Sequence, residues 1–93
     1  MPPDERVTHF DYYRAARAHE KSGRYSEALE SYARAIALSA DYAHAWYYKA
    51  QLHLRLGQFD ECIKCAERAL ALQPSWKEHI TRLVADAKSK AAQ

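Results

Sequence analysis

The sequence predicts an all-α fold: a short solenoid of two antiparallel helical hairpins closed by a fifth helix. Three observations carry that prediction. The chain repeats itself with a period of 34 residues, and its apolar residues recur at helical rather than alternating spacing. Glycine and proline are scarce, at two and three residues, which disfavours a turn-rich β domain and suits helices joined by short loops. Alanine is abundant among Leu, Glu, Lys and Arg, the strongest helix formers.

A shift of 34 positions brings Tyr13 onto Tyr47, Ala16 onto Ala50, His19 onto His53, Gly23 onto Gly57 and Glu27 onto Glu61. Arg34, Ala35, Ala37 and Leu38 then meet Arg68, Ala69, Ala71 and Leu72. Other aligned pairs keep their physical type: Tyr12 with Trp46, Tyr25 with Phe59, Leu29 with Ile63, Ile36 with Leu70. The implied division is a leader over 1–8, repeats over 9–42 and 43–76, and a capping helix with its tail over 77–93.

Taken in order, the first helix opens on a capping-box pattern, Thr8 with Asp11 three residues on, and Gly23 stops it. Ser26 is the expected cap of the second helix. The third spans Ala45 to Leu56, with apolar residues at 46, 50, 52, 54 and 56, and Gly57 ends it. Asp60 is placed to cap the fourth, which runs through Ile63, Ala66, Ala69 and Leu70 to about Leu72 before Pro74. The last helix is expected to open at Ser75, with Ile80, Leu83, Val84 and Ala87 on one face.

Ninety-three residues make one small domain, of the size that buries only about two-thirds of its unfolded surface. The net charge is +2, with six basic and seven acidic residues over 1–41 and eight and five over 42–93. That basic lean suits an acidic partner and falls well short of a nucleic-acid footprint. No apolar run is long enough to span a membrane, and the first six residues have neither the apolar core nor the cleavage site of a signal peptide. The expected setting is soluble and cytoplasmic.

With Trp46, Ala50, Gly57, Phe59, Ala69 and Pro74 in the second unit and the set Tyr12, Ala16, Gly23, Tyr25, Ala28 and Ala35 in the first, the chain resembles the tetratricopeptide repeat family. The resemblance covers residues 9–76, and 77–91 look like the solvating helix that follows the last repeat. Ala40 stands where the family has Pro, which predicts a looser first inter-repeat turn, and Cys62 replaces the usual Ala. Small residues at 16, 28, 35, 50, 62 and 69 would let antiparallel helices approach, with large ones at 12, 25, 46 and 59 filling between hairpins. Two repeats are fewer than the three or so such arrays need. The capping helix, pairing with a second copy, or membership of a longer array would each supply the missing surface.

The resemblance implies a non-catalytic interaction module that holds a partner peptide or helix on its concave side, lined by the first helix of each pair. Carried over by position, the groove residues are Phe10, Tyr13, Arg17, Glu20 and Lys21, then His44, Tyr47, Gln51, Leu54 and Arg55. The last helix would add Glu78, Thr81, Arg82, Ala85 and Lys88. Aromatic residues and arginine are the types most enriched at binding hot spots. The alternatives are a self-assembling scaffold segment that dimerises by repeat stacking, and a co-chaperone-type binder of acidic heat-shock-protein tails. The carboxylate-clamp positions of that last subtype hold Tyr13, Arg17, Tyr48, Glu78 and Arg82, of which only Arg82 matches, although Pro74-Ser75-Trp76-Lys77 looks like those domains.

No catalytic or metal-binding pattern stands out, and no cofactor is expected. Cys62 and Cys65 form a CxxC near a helix N-terminus, where the helix dipole would lower a thiol pKa. The strand-turn-helix setting of a thioredoxin-like site and a second ligand pair for zinc are both missing, so a structural role is expected. Of the five histidines, His19 and His53 occupy a repeat position that is aromatic in the family, which points to packing rather than metal ligation. No HExxH, paired-carboxylate, nucleophile-base or phosphate-loop pattern is found.

Overall fold

The computed structural model describes residues 7–93, so the leader expected over 1–8 lies outside the described residues except for Val7 and Thr8. Five α-helices follow: α1 (His9–Lys21), α2 (Tyr25–Leu38), α3 (Ala43–Arg55), α4 (Phe59–Leu72) and α5 (Lys77–Ala91). A 3₁₀ turn at Pro74–Trp76 leads into α5. The described residues contain no strand, and no helix among them is long and apolar enough to cross a membrane.

The chain enters α1 through the capping box. The Asp11 carboxylate accepts a hydrogen bond from the Thr8 backbone N–H at 2.9 Å, and Arg14 Nη2 adds another at 2.7 Å. That backbone bond, with Arg14 beside it, holds the Asp11 carboxyl below its ordinary pKa.

The turns inside the two hairpins are the same turn. Gly23 and Gly57 take φ of +75° and +76°, the left-handed region glycine enters without cost. Gly23 N–H donates to the Glu20 carbonyl at 3.0 Å and Arg24 N–H to His19 at 2.8 Å; Gly57 and Gln58 repeat this on Leu54 and His53 at 3.1 and 2.8 Å. This Schellman pairing ties up carbonyls left orphaned at the helix end. It also corrects the expected caps. The residue after each glycine is committed to the closing bond while its own carbonyl starts the next helix, from Ala28 at 2.9 Å and Cys62 at 3.0 Å. The N-caps are therefore Arg24 and Gln58, and Ser26 and Asp60 lie inside the first turns of α2 and α4.

The inter-repeat turns also match. Ser39 and Gln73 share an extended backbone, and each accepts a bond three residues on, from Tyr42 at 3.1 Å and Trp76 at 3.0 Å. Ala40 does not loosen the first of them. Trp46 Nε1 donates to the Ala40 carbonyl at 2.9 Å, and Ser39 Oγ bonds Asp41 at 2.8 Å. Two starts shift from expectation: α3 begins at Ala43 rather than Ala45, and Ser75 lies within the 3₁₀ turn rather than opening α5.

Two apolar clusters form the core, and α3 serves both. Ala16, Ala28, Tyr32 and Ala35 of the first hairpin close on Ala45 and Leu52. On the other side, Ala50 joins Cys62, Cys65, Ala66 and Ala69 of α4 with Ile80, Leu83 and Ala87 of α5. The small residues bring helix axes together, and Tyr12, Tyr25, Trp46 and Phe59 pack, half-buried, at the margins of these clusters. Tyr32 is the largest side chain fully out of solvent, a core residue the repeat alignment does not reveal because Ala66 stands opposite it.

Candidate functional site

Because α1, α3 and α5 are the leading helices of successive units, they line one side of the solenoid. A cavity of about 700 Å³ opens between them. Its α3 wall is Tyr47, Gln51, Leu54 and Arg55; α1 contributes Glu20, and α5 contributes His79, Arg82, Leu83, Asp86 and Lys90.

The charged groups here are partly spoken for. Glu20 accepts the Tyr32 hydroxyl and lies 3.6 Å from Arg17. Burial and that carboxylate hold the Tyr32 phenol well above its ordinary pKa. Lys90 pairs with Asp86 at 3.6 Å, and Arg55 Nη1 donates to the Tyr25 hydroxyl at 3.1 Å. Arg82 forms no ion pair among the described residues. Gln51 Nε2 donates to the Tyr47 hydroxyl at 3.1 Å, which leaves that hydroxyl its own hydrogen to donate.

Next to this cavity lies a bed of aromatic rings. Tyr13 stands edge-on to Tyr42 at 5.4 Å and tilted against Tyr48 at 5.8 Å; Tyr48 meets Tyr47 at 5.4 Å, and Tyr47 meets Trp76 at 5.7 Å. His44 bridges the bed, stacked on Tyr42 at 5.3 Å and edge-on to Trp76 at 4.8 Å. The Arg17 guanidinium lies 4.1 Å from the centre of the Tyr48 ring, a cation–π distance. Burial, reinforced by Tyr48, pushes the Tyr13 phenol up to about 12. A depression of about 290 Å³ lined by His44, Tyr47, Tyr48, Trp76 and His79 shares Tyr47 and His79 with the main cavity. The two form one continuous surface.

The structure brings together Tyr47, Gln51, Leu54, Arg55 and Arg82 of the sequence-derived groove. Tyr13 and Arg17 join the aromatic bed, and Phe10, 49% exposed, stands at its outer end 6.0 Å from Tyr13. Lys21 is exposed and does not line the cavity; its neighbour Glu20 does. The larger correction concerns α5. Ile80, Leu83 and Ala87 turn into the core, which leaves His79, Arg82, Asp86 and Lys90 on the groove flank. Thr81, Ala85 and Lys88, expected in the groove, instead line an outer channel with Glu67, Leu70 and Val84, and Glu78 lies on a neighbouring depression. Sequence reasoning overlooked Tyr42 and Trp76, which the 34-residue shift does pair, and His79, Asp86 and Lys90, which follow from Arg82 by helical spacing.

The CxxC packs in the core. Cys62 and Cys65 are free thiols buried in the second cluster, and burial pushes Cys62 up to about 11 and raises Cys65, the reverse of the dipole effect. Among the described residues no three His, Cys, Asp or Glu side chains are grouped to hold a metal ion.

Stacked helical hairpins presenting their leading helices along one groove define a helical-repeat scaffold. The family model of the tetratricopeptide repeat matches residues 19–87, and the chain belongs to that family, whose members are in general protein–protein interaction modules. Solved structures agree in fold. Two crystal structures of MamA superpose with TM-scores of 0.73 and 0.72 at 20% identity, over 92% and 91% of this chain. The second repeat domain of Spaghetti (RPAP3), bound to the HSP90 peptide SRMEEVD, superposes at 0.74 and 20% identity over 91% of this chain and 87% of its own. The chain spans 56% and 59% of the two MamA chains. A search of curated proteins finds no match.

Proposed function

We propose that this chain is a non-catalytic interaction module, with repeats over 9–42 and 43–76, that binds a partner segment in the groove between α1, α3 and α5. The observation that carries the reading is the continuous surface of cavity and aromatic bed. It joins apolar rings, where burial would drive association, to Arg82, which has no carboxylate partner among the described residues and would select an acidic group. Display of random peptides against the chain tests it. Selected binders should lose affinity on Arg82→Glu or Tyr47→Ala and keep it on Lys64→Glu, an exposed change on α4 outside the groove. Binders indifferent to both groove changes would remove the reading.

The HSP90 peptide belongs to the RPAP3 domain, and the residues at the carboxylate-clamp positions here do not suit an acidic tail. Arg17 is engaged by Glu20 and Tyr48, Tyr13 and Tyr48 are packed rings rather than amides, and Glu78 would repel a carboxylate. An acidic C-terminal pentapeptide should show no appreciable binding; a titration with low-micromolar affinity would overturn this.

A second reading has its own observation. The outer channel of about 510 Å³ exposes Leu70, Val84 and Ala85, where another unit could stack. A monomer mass independent of concentration in light scattering would dispose of self-assembly through that face.

A further inference from the structure

We infer that the groove's ligand is an extended proline-rich segment, in the polyproline II conformation, that carries an acidic residue beside its prolines. The inference rests on the groove reading and names its partner class.

Ring geometry comes first. From Tyr13 through Tyr48 and Tyr47 to Trp76, each ring centre lies 5.4 to 5.8 Å from the next. Tyr13 and Tyr48 are packed on one another and Arg17 covers Tyr48, so the open end of the row is at Tyr47 and Trp76, long enough for about two residues of a polyproline II stretch at ~3.1 Å each. Aromatic-lined grooves receive proline rings, because the pyrrolidine is compact, apolar and already ordered, so little conformational entropy is lost on binding. The depression at His44, Tyr47, Tyr48, Trp76 and His79 is the open seat for such a ring.

Hydrogen bonding is the second point. A polyproline II segment has no internal hydrogen bonds and presents bare carbonyls. Its receptor must supply donors. The Tyr47 hydroxyl keeps its hydrogen while accepting from Gln51, and Trp76, a residue type with an indole N–H to donate, lines the same depression. A helical ligand would have satisfied its own carbonyls and left these donors unused.

Charge decides what else the ligand carries. A bed of aromatic rings also suits a quaternary ammonium or methylated lysine. Here Arg17 already covers Tyr48 at 4.1 Å, and Lys77 and Arg82 outnumber Glu78 around the neighbouring depression, so a cationic ligand meets net like charge. Glu20 and Asp86, the carboxylates lining the cavity, are taken by Tyr32 with Arg17 and by Lys90. Arg82, which lines the cavity together with Tyr47, is left to bind a carboxylate bidentately.

The test is fluorescence anisotropy with a labelled peptide of six prolines followed by two glutamates. Two controls accompany it: prolines replaced by alternating glycine and serine, and glutamates replaced by lysines. The proline–glutamate peptide should bind saturably and about tenfold or more tighter than either control. Trp76→Ala should weaken it by about thirtyfold, the effect of losing an aromatic anchor. Arg82→Glu, a surface change that leaves the core intact, should remove the preference for glutamate over lysine, and Lys64→Glu should change nothing. Unaltered helicity in circular dichroism shows that Trp76→Ala still folds. Equal binding of the proline and glycine–serine peptides overturns the inference. If display against the chain then yields Arg82-dependent binders without proline, the groove reading survives it; if display yields no groove-dependent binder, both fall.

Discussion

His19 and His53 stand at the same point of the two repeats, yet they live in different surroundings. His19 is half-buried, with Nδ1 3.3 Å from Glu27 on the surface of the first hairpin. His53 is 7% exposed, its Nδ1 bonded to Gln58 Oε1 at 2.7 Å and its Nε2 buried without a partner among the described residues. The cause is position in the stack. Helix α3 has a hairpin on one side and α4 with α5 on the other, whereas α1 packs chiefly on α2. A second pair differs in the opposite sense. Tyr32 fills the first hairpin with a ring tied to Glu20, where the second hairpin has Ala66 and takes its bulk from Ile80 and Leu83 of α5. The repeat sets which positions face inward, and the neighbouring helix sets how large the residue there must be.

The comparison breaks hardest at Tyr32. Tyr32→Ala should cost about 3–5 kcal/mol, as large-to-small changes at fully buried aromatic sites do. Ala66→Tyr, the reciprocal change, forces a ring into space already held by α5 and should cost about 1–3 kcal/mol. Urea unfolding measures both. A Tyr32→Ala loss below about 1 kcal/mol would mean the first hairpin needs no more bulk than the second.

Where the two repeats are alike, substitutions should be alike. Gly23→Ala and Gly57→Ala each place a Cβ in open space, so only the left-handed backbone resists. Each should cost about 1–2 kcal/mol, the two losses should match because the backbone angles match, and the double change should cost their sum to within about 0.5 kcal/mol, as distant independent sites do. Clearly unequal losses would show that one turn is held by more than its backbone.

The mildest test uses pH. In the first hairpin's ring cluster Tyr13, with an ordinary value of 10.0, is pushed up to about 12, and Tyr32 and Tyr42 are raised as well. A raised folded pKa means that the neutral phenol is favoured by folding. Its contribution is complete below about pH 10 and drains away as pH climbs through about 12. Tyrosinate absorbance should therefore lag behind that of free tyrosine until helicity falls, and Tyr13→Phe should shift the alkaline transition upward. In the second hairpin Cys62, raised to about 11, and Cys65 should react with a disulfide reagent near neutral pH only as fast as the fold opens. Rapid native-state labelling of both thiols would contradict their burial.

Much of this architecture could be read from residue order. The period placed Gly23 and Gly57 and the small residues at the helix contacts, and the family resemblance pointed to Tyr47, Gln51, Leu54, Arg55 and Arg82, which the structure gathers around one cavity. The caps at Ser26 and Asp60 were misread because side-chain preference is weak beside a glycine turn that hands its next residue directly to the following helix. The α5 groove positions were misread because they were carried over from the family position by position, whereas the helix's own apolar face, correctly read as Ile80, Leu83 and Ala87, turns onto α4 and leaves 79, 82, 86 and 90 on the groove flank.

Sequence alone, through a period of 34 residues and the two glycines, determined the hairpins, their number and their stacking, because those depend on local backbone preference and on which side of a helix is apolar. Tertiary structure alone decided that Tyr42, His44, Tyr48 and Trp76 share a bed with Tyr13, that Tyr32 locks Glu20, and that Arg82 stays unpaired among the described residues. These are distances between helices, and they follow from how deeply small side chains let the helices approach.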